Sequence, residues 1–287
     1  MRFASVLFKG EPCVAVADDC QWRLAEPDSS LVGKGMDTLL QRLAGCPEAD
    51  RNDLLQAGLC SSPVSESDLQ FLAPLDNPGK LICIGKNYED HAKEMESETP
   101  VLPIVFNKFA SAIIGPGDAI ELPSISQAVD YEAELVVVIG SGGRHIRREN
   151  ALDHVFGYTI GNDVSARDWQ KGRPGGQWLL GKTFDTFAPL GPWIVTSDEI
   201  GDPHSLEIRC ELNGQTMQHA RTDQLIFPID FLISHLSSFF RLEPGDLILT
   251  GTPAGVGAGR KPPIFLKQGD ELRVHIEKIG TLYNRVI

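Results

Sequence analysis

The chain has 287 residues, 42% of them apolar, enough to fill one large core or a small domain joined to a larger one. Its 26 Lys and Arg stand against 39 Asp and Glu, a net charge of -13 that disfavours nucleic acid and anionic membrane surfaces as partners. The opening MRFASVLFKGEP lacks a signal-peptide core, and no later stretch reaches the roughly 20 apolar residues of a spanning helix, so a cytoplasmic or organellar-matrix protein is expected.

Residues 1–75 read as a small β-rich domain, with strand-like runs at Phe3 to Phe8 and Val14 to Ala17 around a Gly10-Glu11-Pro12 turn. Six scattered cysteines, Cys13, Cys20, Cys46, Cys60, Cys83 and Cys210, contain no Cys-x-x-Cys pair and read as free, mostly buried thiols. Pro74 to Gly79 carries two prolines and a glycine, the composition of a linker into a larger domain spanning 76–287. The segment Asn87 to Met95 then places His91 and Glu94 one helical turn apart, the arrangement of a histidine base oriented by a carboxylate, although surface pairs of this kind are common.

The acidic constellation follows. In Asp130-Tyr131-Glu132-Ala133-Glu134-Leu135-Val136-Val137-Val138-Ile139, the period of a strand puts Glu132 and Glu134 on one face beside Val136 and Val138. Two like charges roughly 7 Å apart on an apolar strand repel unless a cation lies between them. The stretch from His154 to Asp163 reads as a strand ending in a third carboxylate. Oxygen-only ligation by Glu132, Glu134 and Asp163 suits Mg2+, with Mn2+ or Ca2+ able to substitute, and leaves positions for water and a chelating substrate. The competing reading is a solvated edge strand with Asp163 capping the next helix.

Ser165 is the expected N-cap of a short helix, Ala166 to Gln170, on which Arg167 and Gln170 share a face and could hold a substrate carboxylate. Lys171 to Gln177 has loop composition. Lys182 sits in a glycine-flanked apolar stretch, where a desolvated ammonium seeks an anionic partner. A core helix is expected from Ile229 to Phe239, with Pro228 suited to its first turn. Short strands are expected at Leu247 to Thr250 and Leu272 to Ile276, and Gly117-Asp118, Gly245-Asp246 and Gly269-Asp270 read as turns. Gly251 to Gly257 is not a nucleotide loop, because Arg260-Lys261-Pro262-Pro263 and not a helix follows it, yet its backbone and Thr252 could hold a carboxylate.

Four motifs in this order resemble the fumarylacetoacetate hydrolase family over about residues 75–287: Gly85-Lys86-Asn87-Tyr88 with Asp90-His91; Asp130 to Leu135; Asn162 to Gln170; and Thr250 to Gly257. Phe106 to Ser111 and Gln177 to Phe187 most resemble the subgroup of fumarylacetoacetate hydrolase domain-containing protein 2 and its bacterial relatives. The resemblance implies an α+β, predominantly β fold, with a mixed β-roll catalytic domain after a small N-terminal domain. It further implies a homodimer and Mg2+ or Mn2+ on Glu132, Glu134 and Asp163. By the same resemblance His91 with Glu94 activates water from a lid, Arg167, Gln170 and Lys182 surround the substrate oxygens, and Thr252 grips its carboxylate. The founding hydrolase's fourth metal carboxylate and the acidic partner of its histidine have no counterpart that the sequence locates.

Two reactions of a small 2-oxo acid fit these residues. The first expectation is metal-dependent hydrolysis of a carbon-carbon bond in an acylpyruvate-type β-diketo acid, through an enolate. The second keeps the metal and the enolate without water, as a keto-enol tautomerase, decarboxylase or isomerase acting on oxaloacetate or a related 2-oxo diacid. A non-catalytic module binding metal or oxo acid is the reading from another class.

Overall fold

The apolar run Ala133–Ile139 forms a strand whose seven residues are all buried, as expected of a strand covered on both faces. It pairs antiparallel with Val155–Asn162 on one side and Leu247–Leu249 on the other. The structure is a computed structural model and describes residues 1–18, 21–25, 35–44, 46, 53, 58–60 and 62–287. Cys20 lies outside the described residues; Cys83 and Cys210 are buried free thiols, and Cys13, Cys46 and Cys60 are half-buried.

From this central strand an 11-stranded sheet extends both ways. Leu247–Leu249 runs parallel to Leu81–Gly85, which pairs with the edge strand Ile104–Asn107. On the other side Val155–Asn162 pairs with Ala188–Thr196, and Arg2–Phe8 adds to that strand with Phe3 opposite Ile194. The two proposed domains therefore share a sheet, which Glu11–Asp18 and Gln21–Leu24 continue. A second, 5-stranded sheet carries Gln215–Arg221, Glu207–Leu212, Glu271–Ile276, Gly280–Val286 and Ala119–Ile120. The main core joins residues of both sheets, from Leu135, Val137 and Ile160 to Ile208, Val274 and Leu282.

Ile229–Phe239 is the longest described helix, at 11 residues, and buries Ile229, Leu232, Ile233 and Leu236 on one face. The predominantly β, α+β reading holds. The three Gly-Asp turns form as expected: each glycine has φ between 84 and 91. In each, the Asp carboxylate accepts the backbone N–H three residues before it, Gly115 to Asp118 at 2.7 Å, Glu243 to Asp246 at 2.8 Å and Lys267 to Asp270 at 2.8 Å. Glycine alone adopts that φ without steric cost, and Asp fills the turn's open donor.

The short helix runs Arg167–Gln170, one residue later than expected, and Ser165 does not cap it. Ser165 belongs to a two-residue strand, Ser165–Ala166, that pairs with Val129–Asp130, and its hydroxyl donates to the Asp163 carbonyl at 2.8 Å. Strand pairing there takes the backbone that a cap would need. The first turn of the chain is also tighter than expected, since Glu11 and Pro12 already lie in a strand.

Candidate active site

Three elements bring the acidic residues together. Glu134 projects from the central strand, Glu132 lies just before that strand, and Asp163 just past the end of its partner Val155–Asn162. Ligand oxygens of Glu132, Glu134 and Asp163 lie within 4.8 Å of one another, and all three residues are buried. The exposed-edge alternative is thereby excluded. Asp163 caps no helix; its N–H donates to the Glu132 carbonyl at 2.8 Å.

Cations answer these charges from two sides. The Lys182 ammonium, at the end of the helix Trp178–Lys182, stands 2.6 Å from both Glu132 Oε2 and Asp163 Oδ2. Arg167 reaches Glu132 Oε1 with Nη2 at 2.6 Å, donates from Nε to Asp130 Oδ2 at 2.9 Å, and donates from Nη1 to the Gln170 side-chain Oε1 at 3.0 Å. Burial would raise the Glu132 carboxyl, but the Arg167 and Lys182 charges prevail and hold it well below the usual carboxylate range. Burial, then the charges of Asp163 and Glu132, push Glu134 well above that range. For Lys182 the desolvation that would lower its pKa is outweighed by Asp163 and Glu132, and the ammonium is stabilised.

An all-oxygen cluster of this size, with one member raised by its neighbours' charge, is the donor set of a hard divalent cation. Glu132, Glu134 and Asp163 thus fit such an ion.

A pocket opens over the cluster, with about 390 Å3 of empty space including its open mouth. His91, Glu132, Glu134, Arg167, Gln170, Lys182 and Thr252 line it; Asp163 and Glu94 stand behind the wall. Among the described residues His91 is the one histidine on that wall. It sits on the helix Glu89–Glu94, buried, with Nδ1 unpartnered and 3.6 Å from Glu94 Oε2, longer than a hydrogen bond. The base of that helix is pinned by Asn87, whose amide donates to the Phe227 and Thr250 carbonyls at 3.0 and 2.7 Å.

The glycine-rich segment after Leu247–Leu249 holds three of the acids by its backbone. Gly251 N–H donates to Glu134 Oε2 at 2.7 Å, Gly255 N–H to both Glu94 oxygens at 3.0 Å, and Gly257 N–H to Asp130 Oδ1 at 2.7 Å. A side chain at Gly255 would strike the Met217 carbonyl, so this turn demands glycine. Thr252 lines the pocket, and its hydroxyl accepts from Gln218 Nε2 at 2.7 Å.

Lys108, Asp130 and Gln218 hydrogen-bond to Asp163, Arg167 and Thr252, and no single motif points to them. The Lys108 ammonium is fully buried and donates to Asp163 Oδ1 at 2.5 Å and to the Val164 and Phe187 carbonyls. Lys108 stands between Asn107 and Phe109 in the Phe106 to Ser111 motif, and Asp130 opens the Asp130 to Leu135 motif. Gln218 carries no comparable signal.

The family model for the C-terminal part of fumarylacetoacetate (FAA) hydrolase matches residues 80–287. The chain is 55% identical over 224 residues to the mitochondrial oxaloacetate tautomerase fahd2 of Xenopus laevis, covering 78% of this chain and 70% of that protein. The fumarylacetoacetate hydrolase of Exiguobacterium antarcticum superposes with a TM-score of 0.86 at 37% identity, covering 100% of this chain and 99% of that one. A 5-carboxymethyl-2-hydroxymuconate delta-isomerase from Mycobacterium smegmatis superposes with a TM-score of 0.78 at 36% identity, covering 100% of this chain and 98% of that one.

Proposed function

Because the chain belongs to the fumarylacetoacetate hydrolase family, we propose that it is a divalent-metal-dependent keto-enol tautomerase of a short 2-oxo diacid such as oxaloacetate. The observation that carries this reading is the convergence, on one pocket wall, of a lone histidine and two paired cations with Glu132 and Glu134, two members of a buried acidic triad. Tautomerisation moves one proton at the carbon beside a ketone while charge develops on the ketone oxygen.

His91 is the group that carries the proton between that carbon and the ketone oxygen, breaking one bond to hydrogen as the other forms. Glu94 lies on the Nδ1 side of its ring. Lys182 and Arg167 stand where charge on the substrate oxygens is to be met, and Gln170 and Thr252 border the same space. Glu132, Glu134 and Asp163 would hold Mg2+, or Mn2+ or Ca2+ in its place, supplying Lewis-acid polarisation of a 2-oxo acid when bound.

Hydrolysis of an acylpyruvate, the first expectation from sequence, uses the same groups. It is the less favoured reading, since the tautomerase is 55% identical to this chain and the hydrolase 37%. The mitochondrial relative supports an organellar matrix as the compartment, and among the described residues no helix is long and apolar enough to cross a membrane. The homodimer that the family resemblance implies is to be tested by mass in solution.

The decisive assay follows the enol absorbance of oxaloacetate with Mg2+ beside a panel of acylpyruvates. Loss of the enol signal well above the spontaneous rate, without pyruvate release, is expected. Cleavage of an acylpyruvate with oxaloacetate left at its spontaneous rate would return the reading to hydrolysis.

A further inference from the structure

The cations of this pocket fall into two groups. Arg167 and Lys182 are each paired with carboxylates. Lys86 and Lys171 line the same pocket, yet among the described residues neither side chain makes an ion pair or a hydrogen bond. The wall therefore carries four Lys and Arg against the carboxylates of Glu132 and Glu134, in a chain whose net charge is -13. Arg167 and Lys182 are also held by Asp130 and Asp163, so the positive charge left for an incoming anion is that of Lys86 and Lys171.

The backbone holds both lysines in place. Lys86 follows the strand Leu81–Gly85 with φ 55, a left-handed conformation that a residue with a side chain rarely adopts and that tends to persist at functional positions. It is fixed on either side: the Trp178 ring packs onto Gly85, and the Asn87 amide is tied to two carbonyls. Lys171 is the first residue past the helix Arg167–Gln170, and its N–H bonds the Arg167 carbonyl at 3.0 Å. Gly172 then makes a turn in which any side chain would strike the Asp168 carbonyl. Partial desolvation, then the like charges of Arg167 and Lys86, lower the Lys171 pKa, a repulsion that an anion would relieve.

We propose that Lys86 and Lys171 form the subsite for the second carboxylate of the substrate, so that the pocket selects 2-oxo diacids over 2-oxo monoacids of the same length. The proposal rests on reading the pocket as a 2-oxo acid site. The 2-oxo carboxylate end turns toward Glu132, Glu134 and Asp163, and Lys182 and Arg167 are committed there. A distal carboxylate then needs its own cations, and these two lysines are the pocket cations that, among the described residues, form no ion pair with a protein acid.

The test is calorimetric binding to the Mg2+-loaded protein of three stable probes: oxalate, 2-oxopentanoate, and 2-oxoglutarate, which adds a second carboxylate to the same chain length. Wild type is expected to bind 2-oxoglutarate at least about tenfold tighter than 2-oxopentanoate, the scale of a charge-assisted hydrogen bond. K171M and K86M should each erase most of that preference and K171R should keep it, with oxalate affinity within about twofold throughout. On oxaloacetate the Met variants should raise KM about tenfold and leave kcat nearly unchanged.

Wild type that does not discriminate the two C5 acids, or Met variants that lose oxalate binding as steeply as diacid binding, would overturn the subsite. Either result stands apart from the activity reading. A protein that discriminates the acids but leaves oxaloacetate enol at its spontaneous rate would remove the tautomerase and keep the subsite.

Discussion

The floor and the outer wall of one pocket are built differently. Glu132, Glu134 and Asp163 stand at strand ends, buried, and every carboxylate there meets a cation or a backbone N–H: Lys108, Lys182 and Arg167 from side chains, Gly251 from the loop. The outer wall is a six-residue helix, Glu89–Glu94, and the turn-rich stretch after Gln170. The Glu94 carboxylate ties that helix to the glycine loop through one backbone N–H. A floor so heavily cross-bonded can place charges before substrate arrives, whereas a thinly tied wall can adapt to what enters. In the proposed reading the floor places the charges, while the wall brings His91 and the lysines that select the substrate.

The most severe break in this contrast is at the floor. Glu132→Gln removes charge from the oxygens that Arg167 and Lys182 face, and should abolish both stoichiometric metal uptake and turnover. Metal analysis after gel filtration and the oxaloacetate enol assay check it. A variant that keeps metal and rate would dissolve the distinction between floor and wall.

Next in size is Lys108→Met. The ammonium is fully enclosed, and its loss leaves Asp163 Oδ1 and the carbonyls of Val164 and Phe187 without a donor. Breaking a buried pair from one side costs about 3–5 kcal/mol of stability. Denaturant unfolding should show that loss, while Lys171→Met at the outer wall should move stability by less than about 0.5 kcal/mol. Equal losses would mean that wall and floor are one cooperative unit.

The sequence made part of this contrast legible and hid the rest. Glu132 and Glu134 announced themselves because carboxylates at period-2 spacing beside Val136 and Val138 have no apolar reason to be there. Ile229–Phe239 was readable from its apolar face, and the Gly-Asp turns from local chemistry alone. Lys108 was not, since its partner Asp163 is 55 residues away. The tie of Asp130 to the glycine loop spans 127 residues. Ser165 misled because strand pairing with Asp130 overrode a good local capping signal. Local periodicity reports which face is buried; a network between distant strands is reported only by the fold.

A smaller effect concerns pH. Glu134 is pushed above the usual carboxylate range by burial, then by Asp163 and Glu132. Without metal, the folded chain keeps that proton where the unfolded chain has lost it, so this group's contribution to stability falls as pH rises from the ordinary carboxylate value through the raised one. A cation needs the charged form, and its uptake in that window must expel the proton. Metal titrations in two buffers of different ionisation enthalpy should reveal proton release that fades at higher pH, with affinity rising until it does. Absence of release near the acidic end would mean that Glu134 is already ionised beside its neighbours.

The mildest change tests the tie between the two regions. Glu94 accepts the Gly255 N–H and stands 3.6 Å from His91 Nδ1, so it anchors the outer helix and puts a carboxylate beside the imidazole. Glu94→Gln keeps an oxygen for Gly255 and removes the charge facing the ring, and should lower kcat about tenfold. Glu94→Ala loses the anchor too, so it should add a rise in KM that the Gln variant lacks. If both variants behave alike, Glu94 acts on the ring only through the helix, and His91 handles its proton without a carboxylate partner.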